Sequence, residues 1–444
     1  MITLLTAKSL FLSSLLLVTV LALPGLQTAN ASFDDSSVVS TSTFEGRMAV
    51  FDDVWETIQL RYYDPTFHGL DWQTSRTTFR ALAAKANSPQ ELYEVIRKML
   101  LPLHDAHTRV YAPEEKFDWW NPRFITLGFT IREVEGTPTV IQVDKTSEAA
   151  RNGIRSGDVL LNIDGTPAKE FIKQKLQKPG LASDASTRYR AVANALEGPA
   201  GSTLKVEWQS KGGKTKSATF TRFWNQRQLG FSSQRSDNFA IIKIDAFTQS
   251  LALEFTKALP GMIEGAQGII LDLRSNGGGD AEAMADVVSP FLEDGSPLGK
   301  FVDRSGASFE LHSYLRKLWP TASAINLPII VLTGESTSSA AEIMASALQT
   351  KRGAQVIGSV TCGCVLAIRS RHALPDGGVL DVSEFDYRTS DGVRLEGLGI
   401  TPNEITTLKR DDLYAGRDRT LEVAKTYLKE RISKYQVKRF GSAR

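Results

Sequence analysis

The sequence predicts an α/β fold: a core of parallel strands and crossover helices, preceded by an N-terminal helical region and an inserted β-rich module. From residue 237 onward, short apolar runs alternate with helix-like stretches, a pattern typical of buried parallel strands. Residues 44–121 carry helical periodicity, whereas residues 124–222 show short alternating runs punctuated by glycine. The 444 residues leave room for several domains of roughly 100–200 residues each.

The first segment is interpreted as a secretory signal peptide over residues 1–31. Lys8 precedes an apolar run over residues 10–23, and an Ala-Asn-Ala site ends at Ala31. The run is shorter than the roughly 20 residues that span a bilayer, so cleavage after Ala31 is favoured over a retained anchor. We therefore expect a protein exported to a bacterial periplasm, without a stable membrane span, in which residues 32–43 form a flexible leader.

Local patterns place the remaining elements. Ser88 and Pro89 fit the N-cap and first position of a helix that runs to Leu101. In the core, assigned to residues 237–410, we predict strands at 239–244, 268–273, 327–333 and 354–359 and helices at 280–292 and 340–349. Residues 379–385 and 387–395 alternate as strands do, and Asp391-Gly392 is a turn signal. Residues 411–444 are predicted to form a C-terminal helix, exposed over 417–434, and a tail.

Composition excludes several classes of protein. The formal net charge of +2 and the lack of a basic block argue against a nucleic-acid partner. Cys362 and Cys364 are the two cysteines, so disulfides do not build the fold. A bond between them would close a very small, strained ring, and we expect either two thiols or an adventitious pair. Two cysteines are too few for a metal site, and we expect no metal and no cofactor.

Two turns carry the candidate chemistry, and each follows a predicted buried strand. Residues 272–279 read Asp-Leu-Arg-Ser-Asn-Gly-Gly-Gly, and consecutive glycine N–H groups can hold an anion. Residues 335–342 read Glu-Ser-Thr-Ser-Ser-Ala-Ala-Glu and place serines at the start of a helix, where the dipole favours a developing negative charge. Taken singly, the first turn is explained equally well by a tight turn, and the second better by helix capping.

Taken together and in this order, the two motifs resemble those of the C-terminal processing peptidases, also called tail-specific proteases, and of their relative, the tricorn protease. The resemblance extends from about residue 44 to about residue 407. It implies that Ser339, three positions before Glu342, is the nucleophile. It also implies an oxyanion hole formed by the N–H of Ala340 with that of Gly278 or Gly279.

The chain departs from the processing peptidases in its general base. Their catalytic lysine falls on Cys364 here, and the glutamine that orients the lysine falls on Ile368. Lys351 lies too far along the nucleophile helix to reach back to Ser339. A serine–lysine dyad is therefore excluded on this alignment.

The tricorn branch uses histidine and glutamate instead, and segments that resemble its motifs occur here in the same order. They make His107, in Asp-Ala-His-Thr, the implied base and Glu396, in Leu-Glu-Gly-Leu-Gly-Ile-Thr-Pro, the carboxylate that orients the imidazole. The branch's serine before the histidine is Ala106 here, which removes a polar contact. His104 is the rival base.

Residues 124–222 resemble a PDZ domain, on two signals. Thr-Leu-Gly-Phe-Thr at residues 126–130 matches the loop that presents backbone N–H groups to a peptide's C-terminal carboxylate, here Leu127, Gly128 and Phe129. The second signal is Ala-Ala-Arg-Asn-Gly-Ile-Arg-Ser-Gly-Asp-Val-Leu at residues 149–160, of which residues 153–158 taken alone would also fit a tight turn between strands.

The resemblance implies an exported serine endopeptidase that cleaves unfolded or C-terminally presented polypeptides through an acyl-enzyme. The alternative is a catalytically inactive scaffold of the same fold that binds peptide C-termini through its PDZ domain. Binding of a small hydrophobic ligand is a third, weaker alternative.

Overall fold

The computed structural model describes residues 39–115, 123–176, 185–226, 229–314, 319 and 323–441. The predicted signal peptide at residues 1–31, the leader up to residue 38 and residues 442–444 lie outside the described residues. Within the described part of the chain, no helix is both long and apolar enough to cross a membrane.

Three helices form the N-terminal region: α1 (Phe44–Arg61), α2 (Trp72–Ala83) and α3 (Pro89–Leu100). As predicted, Ser88 caps α3, since its side chain accepts a hydrogen bond from the N–H of Glu91. The apolar faces of these helices share one buried cluster with Leu366 and Leu380. The helical region therefore packs against a late part of the chain.

The β-rich module has its own core. Strand β1 (Arg109–Tyr111) precedes the module and belongs to another sheet. The elements of the module are β2 (Arg123–Thr126), β3 (Phe129–Val134), β4 (Thr137–Val143), α4 (Glu148–Arg151), β5 (Val159–Ile163), β6 (Thr166–Pro167), α5 (Ala168–Leu176), α6 (Ala185–Ala193), β7 (Thr203–Gln209), β8 (Thr215–Thr221) and β9 (Phe223–Gln226). The sheet order is β3-β4-β5-β7-β8, with β6 beside β5, and β2 pairs with β9 as a separate ribbon. Trp208 and Phe220 lie in its buried cluster.

The core follows in chain order. Its elements are β10 (Phe231–Ser236), β11 (Phe239–Ile244), α7 (Gln249–Ile263), β12 (Gly268–Asp272), α8 (Ala281–Val288), β13 (Pro297–Asp303), β14 (Ser308–His312), β15 (Ile329–Thr333), α9 (Ala340–Arg352), β16 (Gln355–Gly358), β17 (Ala367–Ile368), β18 (His372–Ala373), β19 (Val379–Asp381), β20 (Ser383–Arg388), β21 (Glu404–Ile405), α10 (Arg410–Ala415) and α11 (Arg419–Gly441). The chain turns at Asp391-Gly392 as predicted, with a bridge between Arg388 and Arg394 on either side, but the strand of this region ends at Arg388 and does not continue to residue 395.

The main sheet has the order β10-β11-β12-β15-β16-β21, and all pairs except β10–β11 are parallel. Helices α7, α8 and α9 cover one face. Helix α11 covers the other face with Ala424 and Leu428, both fully buried against Ile270 and Ile330. The prediction that this helix is exposed is therefore wrong. Its polar composition conceals the narrow apolar stripe that a single sheet face requires.

A three-stranded sheet, β1-β19-β18, joins an early segment of the chain to late strands of the core. In it, Arg109 lies opposite Asp381 and Tyr111 opposite Val379. The segment that contains His107 ends at β1, so this pairing fixes it beside the late strands of the core.

Candidate active site

Ser339 lies in a strained turn between β15 and α9. Its backbone has φ 56° and ψ −126°, a conformation that costs a non-glycine residue about 1–3 kcal/mol. Its N–H lies within hydrogen-bond distance of two acceptors, the carbonyl of Cys364 at 2.9 Å and Oε2 of Glu342 at 3.0 Å. These contacts hold the serine at the N-terminus of α9, where the helix dipole favours negative charge.

The serine turn is joined to the glycine-rich turn. Both turns follow the carboxyl ends of neighbouring parallel strands, β12 and β15. Three hydrogen bonds connect them, from Ser336 Oγ to the Arg274 carbonyl (2.9 Å), from Thr337 Oγ1 to the Leu273 carbonyl (2.7 Å) and from the Ser338 N–H to the Asn276 carbonyl (3.1 Å). The juxtaposition that the two motifs predict is therefore present.

Gly278 is where the two turns approach most closely. A Cβ placed on it would lie 2.6 Å from Cβ of Ser339 and 3.1 Å from the nitrogen of Ala340, and its φ is 94°. Its own N–H donates to Oδ1 of buried Asn276 at 2.8 Å. Among the described residues, the N–H groups of Gly279 and Ala340 have no acceptor. Of the three predicted oxyanion donors, these two are available in this conformation.

Replacing Gly278 with Ala is expected to lower kcat by about 10²-fold or more, because the methyl group would displace the serine turn. Gly277→Ala is the matched control, since its Cβ would meet only Ser338 Oγ at 3.9 Å. Steady-state kinetics on both variants, with melting temperatures to show that they fold, tests the point. Equal kcat for both variants would mean that the close approach at Gly278 has no catalytic role.

Glu342 is a buried hub that the sequence motif marks without revealing its function. Its carboxylate accepts hydrogen bonds from the N–H groups of Ser339, Gly363 and Cys364 and from the Thr361 hydroxyl, at 3.0, 2.7, 3.0 and 2.5 Å. Burial raises the pKa of Glu342, and the four hydrogen bonds oppose that rise. Glu342 thus connects the N-terminus of α9 to residues 361–364 by hydrogen bonds.

His107 is held from its backbone. Its N–H donates to Oδ1 of Asp105 at 2.7 Å, and the Thr108 hydroxyl donates to Oδ2 of the same carboxylate at 2.5 Å. The ring is half-buried, and its Nδ1 is fully buried without a hydrogen-bond partner among the described residues. Burial lowers the pKa of His107 to about 4, an effect that Asp105 opposes and that Arg109 and Arg190 reinforce. The ring is therefore neutral at physiological pH.

Glu396 points at a backbone loop. Its Oε2 accepts hydrogen bonds from the N–H groups of Val365 at 2.6 Å and Leu366 at 3.1 Å. Burial raises the pKa of Glu396 to about 8; the backbone hydrogen bonds oppose this rise, and the charges of Asp105 and Glu342 add to it. The loop that donates to Glu396 also donates to Glu342 and accepts from the Ser339 N–H, which places Glu396 beside the serine segment.

In the described part of the chain, no hydrogen bond joins the side chains of Ser339, His107 and Glu396. The expected contact from Glu396 to the imidazole is thus absent in this conformation. The rival base, His104, has an exposed side chain. His372 pairs with Asp53 and His312 with Glu310. His68 contacts the hydroxyls of Tyr62 and Tyr63, on which the charges of Asp105 and Glu396 act.

The prediction of two free thiols is wrong. Cys362 and Cys364 form a disulfide, with Cα atoms 5.2 Å apart, inside the range that disulfides allow. Gly363, between them, has φ 67°, and this left-handed conformation lets the chain turn tightly enough to close the ring. The part of the chain that the structure describes contains no group of three or more His, Cys, Asp or Glu residues that could hold a metal.

The predicted carboxylate-binding loop lies at the start of β3. Leu127 and Phe129 are buried, and Gly128 has φ 87° with space for no Cβ, since Cβ of Ser147 lies 2.3 Å from that position. The Gly128 N–H donates to the Thr126 hydroxyl at 2.9 Å.

The sequence did not reveal a contact between this module and the serine turn. Arg132 on β3 forms an ion pair of 2.9 Å with Glu335, and its guanidinium lies 4.8 Å from the ring centre of Tyr189 on α6. Opposite charges 203 residues apart leave no local pattern that could have indicated the pair.

Comparisons with known proteins agree with this architecture. Residues 238–406 match the profile of peptidase family S41, residues 45–101 that of the tricorn protease C1 domain and residues 124–223 that of the PDZ domain. A carboxyl-terminal-processing protease of Picosynechococcus sp. is 28% identical over 411 residues, which cover 89% of this chain and 88% of the relative. The chloroplastic carboxyl-terminal-processing peptidase 2 of Arabidopsis thaliana is 28% identical over 382 residues, covering 80% and 68%.

Solved structures share the fold. The photosystem II D1 C-terminal processing protease superposes with a TM-score of 0.51 at 23% identity, over 82% of this chain and 94% of that one. Mature CPAF superposes with a TM-score of 0.64 at 14% identity, over 87% and 96%. Fold and sequence matches together define a serine-type peptidase with a PDZ domain. Residues 238–406 match peptidase family S41, and the relatives that the chain matches over most of its length are C-terminal processing peptidases. The predicted fold class and enzyme class are thereby confirmed.

Proposed function

We propose that this chain is an exported serine endopeptidase that cleaves unfolded or C-terminally presented polypeptides through an acyl-enzyme. Ser339 is the nucleophile, His107 its general base and Glu396 the carboxylate that orients the imidazole. One observation carries the proposal: a strained serine at a helix N-terminus lies against a glycine turn, beside two backbone N–H groups that lack an acceptor among the described residues.

In the first half of the reaction, Oγ of Ser339 attacks the carbonyl carbon of the scissile peptide bond while His107 takes the hydroxyl proton. The N–H groups of Gly279 and Ala340 donate to the developing oxyanion, and each donor contributes about 2.7–4 kcal/mol to lowering the barrier. The C–N bond then breaks and His107 returns the proton to the leaving amine. In the second half, water hydrolyses the resulting ester with His107 again as base.

Glu396 and His107 must come into contact before this chemistry proceeds. Nδ1 of His107 is buried without a partner among the described residues, which costs about 1–3 kcal/mol. A swing of Glu396 from the N–H groups of Val365 and Leu366 to the imidazole would relieve this cost and orient the ring. We assign that swing to substrate binding, because catalytic hydrogen bonds are often long in ligand-free enzymes.

Polypeptides with a free C-terminus are the substrates that the PDZ domain favours. Its β3 edge suits a peptide that adds as a strand, with the backbone N–H groups of Leu127 and Phe129 as carboxylate donors. The Arg132–Glu335 pair places this strand next to the serine turn. A tail bound at β3 is therefore retained close to Ser339.

A second candidate is an inactive scaffold that only binds C-termini. Its support is the absence, in the described part of the chain, of a hydrogen bond among the three side chains, and the presence of Cys364 where the processing peptidases have lysine.

Labelling with a fluorophosphonate and digestion of an unfolded polypeptide separate the two candidates. We expect the label on Ser339 by peptide mapping, and faster cleavage of a substrate with a free C-terminus than of the same substrate amidated. Tail binding without label or cleavage would leave the scaffold as the function. Equal cleavage of free and amidated substrates would remove the PDZ domain from substrate selection.

Export to a bacterial periplasm rests on residues 1–31, whose sequence is typical of a signal peptide. The mass of the protein recovered from an exporting bacterial host tests it. A mature N-terminus at Ser32 in the periplasmic fraction is expected, and an intact Met1 terminus in the cytoplasm would contradict it.

A further inference from the structure

The disulfide lies inside the loop that supports the candidate site. Residues 361–366 connect β16 to β17, and the Cys362–Cys364 bond spans the single residue Gly363. Cys364 is buried, with 4% of its surface exposed, whereas Cys362 is half-buried. Solvent therefore reaches the pair from the Cys362 side.

The same loop provides backbone groups to Ser339, Glu342 and Glu396. The Cys364 carbonyl accepts from the Ser339 N–H at 2.9 Å. The N–H groups of Gly363 and Cys364 donate to Glu342, and those of Val365 and Leu366 donate to Glu396. A shift of this loop would thus disturb Ser339 and Glu396 together.

The loop is also wedged between two neighbouring segments. The Cys362 N–H donates to the Thr337 carbonyl at 2.9 Å, on the serine turn. On the other side, the Gly397 N–H donates to the Gly363 carbonyl at 2.8 Å, and a Cβ on Gly363 would lie 2.9 Å from the nitrogen of Gly399. A conformational change at the cysteine pair therefore has direct contacts to the serine turn and to the Glu396 segment.

We propose that Cys362 and Cys364 form a thiol–disulfide exchange site that controls the reactivity of Ser339, with a dithiol reductant as the co-substrate. The control of reactivity rests on the proposed function; the exchange chemistry does not. The disulfide form is the active form, because the covalent bond holds the loop in the arrangement that positions Ser339 and Glu396.

The exchange proceeds in two steps. A thiolate of the dithiol attacks Sγ of Cys362, the more exposed sulfur, and the bond to Sγ of Cys364 breaks. Cys364 leaves as a thiolate and takes up a proton. The second thiol of the reductant then attacks the reductant's sulfur in the mixed disulfide. This step releases Cys362 as a thiol and the reductant as a disulfide. Two electrons and two protons pass from the dithiol to the cysteine pair.

Reduction releases the loop. Two sulfurs that are no longer bonded cannot remain at bonding distance, and the buried Cys364 has little room, so the backbone around Gly363 must adjust. We expect the hydrogen bonds to Glu342 and Glu396 to weaken and the rate of fluorophosphonate labelling to fall by about tenfold or more, since small misplacements of catalytic groups have large kinetic effects.

The test uses the mature chain equilibrated over a series of dithiothreitol ratios. Alkylation with a mass tag reports the fraction of thiols, fluorophosphonate labelling reports Ser339, and amide hydrogen exchange of residues 363–366 reports the loop. The matched control is the double variant Cys362→Ser/Cys364→Ser, which has no bond to reduce. We expect thiols, faster exchange and slower labelling to appear together in the wild type and to reverse on reoxidation, with no response in the double variant.

Each contrary outcome has a distinct meaning. A pair that resists dithiothreitol in the folded protein, or labelling that stays constant while the pair is reduced, would overturn the redox control. An equal response in the double variant would overturn it as well, because dithiothreitol would then act elsewhere. If the wild type is never labelled but loop exchange follows reduction, the exchange site stands and the proposed nucleophile fails.

Discussion

Replacing Ser339 with Ala is expected to lower the hydrolysis of an unfolded polypeptide by about 10³-fold or more and to abolish fluorophosphonate labelling. The variant retains the N–H groups of Gly279 and Ala340, so any residual activity would come from the oxyanion hole and substrate binding alone. Single-turnover kinetics with the same substrate measures the loss.

Ser338→Ala is the matched control for this prediction. Ser338 contacts the glycine turn through its backbone N–H, which the substitution preserves, and it is the neighbouring serine in the same turn. We expect near-normal labelling and hydrolysis. If Ser338→Ala loses activity and Ser339→Ala does not, the nucleophile has been assigned one position too late.

Ser339→Gly adds a thermodynamic test of the same turn. Because glycine accepts a φ of 56° without strain, we expect this variant to be inactive yet at least as stable as the Ser339→Ala variant. A lower melting temperature for Ser339→Gly than for Ser339→Ala would contradict the strain that the backbone conformation indicates.

Replacing His107 with Ala is expected to have a similarly large effect, about 10³-fold or more on kcat/KM, because no other histidine side chain hydrogen-bonds Ser339 or Glu396 among the described residues. The pH dependence identifies the base more sharply. The proposed base, His107, acts in its neutral form, and burial lowers its pKa to about 4, so the loss of activity that belongs to His107 should occur only as the pH falls through about 4. An acid limb near pH 6.5 would mean that the ring is solvated in the active enzyme.

Glu396 should shape the alkaline side of the same profile. Burial raises the pKa of Glu396 to about 8, so the carboxylate form that stabilises an imidazolium appears only above that pH. We therefore expect kcat/KM to rise as the pH increases through about 8, and the Glu396→Gln variant to lack this rise. If kcat/KM of the Glu396→Gln variant rises through pH 8 as it does in the wild type, the rise belongs to another group.

The raised pKa of Glu396 also affects the stability of the fold, which can be measured independently of catalysis. The folded state binds the Glu396 proton more tightly than the unfolded state, whose pKa is near 4.5. This contribution is therefore complete below pH 4.5 and is lost as the pH rises through about 8. Glu396→Gln should melt higher than the wild type above pH 8 and approach it in acid, as measured by calorimetry.

The sequence predicted what local patterns determine. Continuous apolar runs mark buried parallel strands, so β11, β12 and β15 were located within one or two residues, and with them the two turns that meet at Ser339. Ser88 and Pro89 marked the start of α3 for the same reason, since caps act within one turn.

What the sequence did not predict depends on contacts between distant residues. The acceptor of the Gly278 N–H is a side chain two residues earlier, but Asn276 adopts this orientation because its amide also donates to the distant Ile244 carbonyl. The backbone partners of Glu396 lie some 30 residues away. No periodicity records such pairings.

The pairing of β1 with β19 has a consequence for the timing of activity. His107 comes from the first third of the chain, Ser339 from its last third and Glu396 from beyond the strand that holds the histidine segment in place. A chain still emerging from the ribosome therefore lacks the complete proposed triad until residue 396 has been synthesised and β1 has paired with β19. The proposed enzyme therefore cannot cleave the proteins around it before its own chain is complete.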